Sequence, residues 1–174
     1  MDNQTLFKFV EETRQQSRFG QLAFAGLRAA VNAMDVERAF ASVHALLLHA
    51  VVVSRLLWPD RAESAARGEA LREALQPDPG GPLRLARWRE LAGRPDEHFE
   101  SWLAGLDRRS FVDFNLMPQA ALGAFRGDEF QHNLDPDTFE FVYRGERGNL
   151  QKVANALQHL ETTAQTWLRA HHAW

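Results

Sequence analysis

The chain contains no cysteine, so disulfide bonds, thiol catalysis and cysteine-ligated zinc sites are excluded. It also lacks a large excess of charge of either sign, because 20 Lys and Arg residues are set against 23 Asp and Glu residues. A protein that wraps nucleic acid over a broad surface needs a strongly basic balance. That class is therefore disfavoured, although a local basic patch is compatible with this composition.

Long hydrophobic runs are absent as well. The most apolar stretch is ALLLHAVVV at residues 45–53, which contains His49 and is far shorter than the roughly 20 residues of a membrane span. We expect it to be part of a buried core helix. The first residues, MDNQTLFKFVEETRQQ, include early acids and lack the apolar core of a signal peptide. With the absence of cysteine, these features lead us to expect a cytoplasmic protein without a membrane partner.

What the sequence does contain is helical periodicity over most of its length. Apolar residues recur at helical spacing from Leu6 to Val10, from Phe19 to Val31 and through a segment from about Val36 to Leu57. The last segment is apolar on nearly every side, which predicts a helix at the centre of a bundle. Asp35 is placed to cap this helix, and Pro59 is placed to end it.

Further helices are predicted on either side of a loop at residues 76–82, which holds three prolines and two glycines. A shorter helix is expected at about residues 61–75, and another at about residues 82–91 that resumes after Pro95. The final helix begins near Asn149. Its apolar residues follow at alternating three- and four-residue steps and form a seam for a neighbouring helix.

The pattern changes between these helices and the last one. SFVDFNLMP at residues 110–118 alternates, and TFEFVYRGE at residues 138–146 is aromatic and β-branched, so both predict short strands. NLDPDT at residues 133–138 predicts the turn between them. RGERGN at residues 144–149 predicts a second turn that leads into the N-terminus of the last helix.

These elements predict a mainly α protein: a bundle of about five helices with a small β-hairpin or three-stranded flap inserted before the C-terminal helix. The β insertion covers about residues 110–146, and the whole chain, residues 1–174, is predicted to be one domain. A fold of this kind does not by itself identify a function.

The stretch GRPDEHFESWL, residues 93–103, contains the strongest candidate for catalysis. If it is helical, Arg94 and His98 lie one turn apart and project from one face. A histidine exchanges protons near neutral pH, and an arginine binds a phosphodiester and stabilises developing charge. Such a pair suits metal-independent RNA cleavage, in which the substrate's own 2′-hydroxyl is the nucleophile. Asp96 and Glu97 also allow a plainer interpretation, a solvated acidic face that pairs with His98.

No other constellation predicts a metal or cofactor site. The chain has no glycine-rich phosphate loop, no HExxH pattern and no nucleophile elbow. His44 and His49 lie five residues apart, whereas two metal ligands on one helix face are three or four apart. We expect them to be core or interface histidines. His132 falls in a predicted loop near the strands, so we expect no metal and no cofactor.

Several segments, taken in order, resemble bacterial proteins of the HEPN-like class. Members of this class are helical bundles that commonly dimerise; many are ribonucleases used as toxins or in phage defence, and others are inactive interaction modules. The resemblance covers about residues 36–165. It rests on VHALLLHAVVVSRLLWP (43–59), RGEALREAL (67–75), PLRLARWRELAGRPDEHFESWL (82–103), SFVDFNL (110–116) and a Phe-rich strand ending in RGE.

The family motif pairs an arginine with a histidine a few residues later, often within EHF. The histidine side is matched by EHFE at residues 97–100. The arginine side departs from the motif, because Gly93 stands where the commonest spacing places arginine and Arg94 is one position closer. Arg89 has the arginine context of the family but is nine residues from His98.

The resemblance implies roles for these residues. His98 would be the acid–base group, Arg94 or Arg89 would bind phosphate, and Asp96 or Glu97 would orient the histidine. It also implies a homodimer, an RNA substrate and an antitoxin or other protein partner, with no cofactor.

Two alternatives stay open. A catalytically silent HEPN-like bundle that acts through protein contacts would explain the imperfect motif, the net charge of −3 and the apolar seam of the last helix. A small-molecule-binding bundle would explain the aromatic residues near the predicted strands, although plain core packing explains them too. The residues of that pocket would be Trp58, Phe114, Phe141 and Tyr143.

Overall fold

The computed structural model of the chain describes residues 1–107 and 110–171. Within these residues, six α-helices and a small four-stranded sheet before the last helix confirm the mainly helical fold predicted from the sequence. The helices are α1 (Asn3–Asn32), α2 (Val36–Leu57), α3 (Ala65–Leu75), α4 (Ala86–Gly93), α5 (Pro95–Ala104) and α6 (Leu150–Ala170). The strands are β1 (Asn115–Leu116), β2 (His132–Leu134), β3 (Glu140–Tyr143) and β4 (Glu146–Asn149).

The three long helices form the centre of the bundle, with α1 packed along both α2 and α6. Burial of their apolar faces is the main force that holds them together. Glycine allows α6 to approach closely at one point, because a Cβ at position 20 would lie 2.5 Å from Cδ1 of Leu157. The long helices thus form the frame on which the shorter helices and the sheet are placed.

α2 is also long and apolar enough to cross a membrane by length and composition alone. Half of its most apolar window is buried inside the protein. Val43, Leu46 and Ala50 are completely buried. α2 therefore occupies the position of a core helix, as predicted for residues 45–53.

The helix ends follow the local signals in the sequence. The Asp35 carboxylate accepts a hydrogen bond from the backbone N–H of Arg38 at 3.1 Å. Pro95 occupies the first turn of α5, where no intrahelical partner exists for the N–H that proline lacks. The interrupted fourth helix is in fact two helices, because Arg94 between them leaves helical geometry with φ −145° and ψ 64°. The described residues therefore form six helices where about five were predicted.

The sheet has the strand order β1-β2-β3-β4, with β1 parallel to β2 and the other pairs antiparallel. β3 and β4 form a hairpin in which Tyr143 pairs with Glu146. The two residues of its turn, Arg144 and Gly145, have positive φ values of 49° and 85°. Positive φ at both central residues is the geometry of a type I′ hairpin turn, which glycine readily adopts.

Three details of the β prediction were wrong. The strand predicted at residues 110–118 is reduced to β1, because Phe114 has a φ of 48° and interrupts the extended backbone. β2 begins before the predicted turn and overlaps it at Asn133 and Leu134. Of the turn predicted at residues 144–149, only Arg144 and Gly145 form a turn, and Glu146–Asn149 form β4 instead. In the last two cases, pairing between strands outweighs a local turn signal.

Candidate functional site

The residues singled out in α4 and α5 lie along one open groove of about 840 Å³, which we call the arginine groove. α4 contributes Arg89, and the start of α5 contributes Glu97 and His98, with Arg94 between the two helices. The end of α2 and the segments that follow it complete the lining. The charged side chains are Arg55, Arg84, Arg89 and Arg94, with Asp60, Glu90 and Glu97 opposing them.

His98 is half-buried in this groove, together with Arg94 one helical turn earlier. Nη1 of Arg94 lies 3.3 Å from Oε2 of Glu97, and both side chains are largely exposed. Asp96 is exposed and does not line the groove. Within residues 1–107 and 110–171, no carboxylate hydrogen-bonds the His98 ring. The orienting role suggested for Asp96 or Glu97 has no contact to support it and stays a prediction.

Arg89 has a different environment, since it is only 9% exposed. Its guanidinium group forms an ion pair with Asp60. Its backbone carbonyl accepts a hydrogen bond from Nη2 of Arg55 at 3.0 Å. Arg89 is therefore a buried part of the groove wall, whereas Arg94 is a surface arginine with an exposed partner.

One of the four aromatic residues of the suggested small-molecule pocket also lines this groove. The Arg84 guanidinium lies 5.7 Å from the centre of the Trp58 ring, within the range of a cation–π contact. Phe114, Phe141 and Tyr143 instead pack around His132. The structure therefore does not bring the four aromatics into one pocket.

A second constellation surrounds His132, which is 5% exposed at the start of β2. Its Nδ1 lies 2.5 Å from Oδ1 of Asp113, so the carboxylate can accept the Nδ1–H hydrogen bond. The other ring nitrogen, Nε2, has no hydrogen-bond partner among the described residues. We call the group of His132, Asp113, His44, Tyr143 and Arg144 the histidine cluster.

The rings of this cluster are held by stacking. The Phe114 ring lies parallel to the His132 ring, with centres 4.9 Å apart, and the Tyr143 ring centre is 4.7 Å away. The His44 ring, from the exposed side of α2, meets the His132 ring edge-on with centres 5.2 Å apart. Aromatic contacts at these separations stabilise a single ring orientation.

Arg144 joins the histidine cluster to α5. Its guanidinium lies 4.6 Å from the centre of the Tyr143 ring and 4.4 Å from that of Phe99. Nη1 donates a hydrogen bond to the carbonyl oxygen of Pro95 at 2.8 Å. Nε of the same side chain is buried and has no partner among the described residues. The cluster thus contains a cation with a free donor.

Burial changes the pKa values of three residues in the histidine cluster. The pKa of His132 is lowered by burial, which outweighs the opposing effect of the Asp113 carboxylate. The pKa of His44 is lowered by burial and, to a smaller extent, by His132 and Arg144. The pKa of Tyr143 is raised by burial. Near neutral pH these shifts favour two neutral imidazoles and a protonated phenol.

α5 separates the two constellations. Glu97, His98 and Ser101 face the arginine groove. The opposite side of the same helix contacts Arg144 through Pro95 and Phe99. The groove and the histidine cluster are therefore distinct sites on two faces of one helix.

The proximity of His44 and His132 was not predicted from the sequence, which gave His44 as a core or interface histidine and His132 as a loop residue. They come from α2 and β2, so their proximity depends on how the sheet docks onto the bundle. The FVDFN segment gave no signal that its Asp113 would meet a histidine. Across residues 1–107 and 110–171, no group of three or more His, Asp or Glu side chains has the arrangement of a metal site.

Comparison with protein-family models, with curated protein sequences and with solved structures gives no significant match to this chain. The resemblance to HEPN-like proteins therefore rests on the sequence segments quoted above.

Proposed function

We propose that the protein is a HEPN-like, metal-independent endoribonuclease whose arginine groove holds the RNA backbone. The observation that supports this best is that His98 and four guanidinium groups line the same groove. Cations bind the phosphates, and a histidine transfers the proton that a 2′-hydroxyl must lose to attack the adjacent phosphorus. This function belongs to a toxin–antitoxin or phage-defence system in the cytoplasm.

Arg94 is the arginine best placed to bind the reacting phosphate. Its ion pair with Glu97 is exposed, and exposed pairs contribute only about 0–1 kcal/mol, so a phosphate can replace the carboxylate. Arg89 is buried although its partner Asp60 is exposed, so removal of the Asp60 carboxylate would leave the buried guanidinium without a counter-charge. In this proposal, Arg89 fixes the shape and the electrostatic potential of the groove. Arg94 contacts the phosphate in the transition state.

The reaction also needs a proton donor for the leaving 5′-oxygen. His98 is the one histidine among the described residues that line the groove. A homodimer that joins two grooves would supply a second His98 and a second set of arginines. This requirement supports the proposal that the active form is a dimer. In the same proposal, an antitoxin is a protein that binds over the groove.

The test is cleavage of a fluorescent single-stranded RNA in the presence of EDTA by the wild type, His98→Ala and Glu100→Ala. Glu100 is exposed on the same helix but does not line the groove, so Glu100→Ala is the matched control. Loss of a general acid–base group lowers the rate by about 10²–10⁴-fold. We expect that loss for His98→Ala and a nearly unchanged rate for the control. Equal cleavage by the wild type and His98→Ala, or none by either, would rule out the proposal.

A second candidate function, a catalytically silent interaction module, is supported by apolar side chains on the surface of the two longest helices. Leu22 of α1 is 62% exposed and Leu48 of α2 is 58% exposed. Exposed apolar residues of this size are typical of contact surfaces when they form a patch. Light scattering on the purified protein separates the candidates: a monomer without RNA cleavage contradicts both, and a dimer without cleavage supports the silent module.

A further inference from the structure

RNA cleavage by an internal 2′-hydroxyl leaves a product that carries a 2′,3′-cyclic phosphate. Hydrolysis of that ring needs a base that takes a proton from water and an acid that protonates the departing sugar oxygen. It also needs a cation near the phosphate, but no long basic track, because the reacting end carries a single phosphodiester. The histidine cluster contains these groups on the side of α5 away from the arginine groove.

The base is already positioned. Asp113 accepts the Nδ1–H of His132 at 2.5 Å, which leaves the lone pair of Nε2 free for a proton. The same Oδ1 accepts the backbone N–H of Phe114 at 2.8 Å, so the carboxylate is itself fixed. An aspartate that holds the tautomer and the orientation of a histidine is the arrangement found in hydrolytic triads, where the histidine acts as general base.

The acid and the binding groups surround this base. His44 is exposed on α2, and its ring centre is 5.2 Å from that of His132. The Arg144 guanidinium lies 4.6 Å from the centre of the Tyr143 ring, so its positive charge favours a phosphate beside the cluster. Phe114 stacks on His132 with one face and is 50% exposed, so its other face can stack against a nucleobase.

We propose that the histidine cluster hydrolyses the 2′,3′-cyclic phosphate at an RNA or nucleoside end, with His132 as general base and His44 as general acid. His132 Nε2 takes a proton from water while the water oxygen bonds to phosphorus. One of the two ring P–O bonds then breaks, and the protonated His44 ring donates its proton to the sugar oxygen. The product is a phosphate monoester with a free hydroxyl beside it. The inference rests on the proposed function for its substrate.

The pH dependence follows from the surroundings of the two rings. The charged and titratable groups that face them are Asp113 before β1, Tyr143 on β3 and Arg144 in the following turn. The pKa values of His44 and His132 are both lowered from 6.5. A neutral His132 with a protonated His44 is therefore most populated on the acidic side of that value, so we expect the rate to peak below about pH 6.5.

The experiment is hydrolysis of cytidine 2′,3′-cyclic monophosphate, followed by ³¹P NMR, with the full chain and three histidine variants. His44→Ala is the central variant, because the residue is exposed and its removal leaves the fold intact. His132→Asn tests the base. His49→Ala is the matched control on the same helix, since His49 contacts Gln16 at 2.7 Å rather than the cluster. Thermal melting of each variant checks that it is folded.

We expect His44→Ala and His132→Asn to lower kcat by about 10²-fold or more and His49→Ala to retain activity. Phe114→Ala should raise KM more than it lowers kcat, because its ring is assigned to nucleobase stacking. No hydrolysis by the wild type above the buffer rate, or equal rates for wild type and His44→Ala, overturns the inference. Because RNA cleavage and cyclic-phosphate hydrolysis are separate assays, failure of one proposal is distinguishable from failure of the other.

Discussion

Arg89 and Arg94 differ in how easily each can leave its carboxylate for a substrate. Arg89 is only 9% exposed, so its ion pair with the exposed Asp60 resists exchange, because loss of that carboxylate would leave a buried guanidinium without a partner. The exposed pair of Arg94 with Glu97 is surrounded by water and exchanges readily. The sequence suggested either arginine as the phosphate-binding residue. Their different burial in the structure distinguishes the two roles.

Histidine burial leads to a prediction about stability and pH. The pKa values of His44, His49 and His132 are each lowered by burial from the ordinary value of 6.5. The unfolded chain therefore binds more protons than the folded protein just below that pH. The contribution of these three neutral histidines to the free energy of unfolding is therefore complete above pH 6.5. It is lost as the pH falls through their pKa values in the folded protein.

We expect the free energy of unfolding in urea to be lower at about pH 5.5 than at about pH 7.5, and the difference to be smaller in His132→Asn. His132 is the most buried of the three residues, so its removal should reduce the difference most. A free energy of unfolding that is the same at both pH values would contradict the assignment of His132 as a neutral buried base.

At the scale of elements, the helix boundaries depend on single capping residues. The Asn149 side chain accepts a hydrogen bond from the N–H of Lys152 at 2.9 Å and donates one to the carbonyl of Thr138 at 3.0 Å. It therefore ends the sheet and begins α6 at the same residue. A local signal of this type is readable in a sequence because both partners lie within one turn.

Asn149→Ala should lower the free energy of unfolding by about 1 kcal/mol, because it removes the cap of α6. The control is Asn155→Ala, which changes the same residue type on the exposed side of the same helix, where the Asn155 side chain accepts a hydrogen bond from the Gln151 side chain. Urea titration of the two variants against the wild type measures the difference. Equal losses would show that the cap has no special importance.

The strands were harder to predict than the helices for a physical reason. A helix satisfies its hydrogen bonds within the segment, so its apolar period is visible locally. β1 and β2 exist because they pair in parallel with each other, and the residues between them adopt turns and short 3₁₀ segments. Phe114, with a φ of 48°, would be expected to disrupt a strand at that position, and the letters FVDFN do not reveal it.

At the scale of the whole molecule, the sheet and the bundle share one core. Phe141 of β3 is completely buried, stacks on Trp88 of α4 with ring centres 5.6 Å apart, and lies 6.3 Å from the Phe40 ring of α2. The β insertion is therefore not an independent flap. We expect one cooperative unfolding transition, with far-ultraviolet circular dichroism and tryptophan fluorescence changing together.

Phe141→Ala should lower the free energy of unfolding by about 3–5 kcal/mol, because it leaves a cavity where the sheet meets the helices. Phe111→Ala is the control, since Phe111 is 41% exposed and its removal should cause a much smaller loss. If Phe141→Ala unfolds the sheet in a separate early transition while the helices persist, the shared core is contradicted. Circular dichroism at two wavelengths distinguishes the outcomes.

The sequence by itself determined the helical class, the limits of α2, the position of the loop at residues 76–82, the cap at Asp35 and the start of the last helix near Asn149. Each depends on residues within a turn or two of one another, where side-chain period and hydrogen bonding act locally. It also placed Arg94 four residues before His98, although the structure puts Arg94 just before α5, outside helical geometry.

Only the tertiary structure decided that these two residues line a groove with Arg55 and Arg84, and that His44 meets His132 beside Asp113. Contacts between distant segments arise from the packing of whole elements, which no short window of sequence contains. The burial that lowers the pKa of His132 arises in the same way, because elements distant in the sequence pack around that ring.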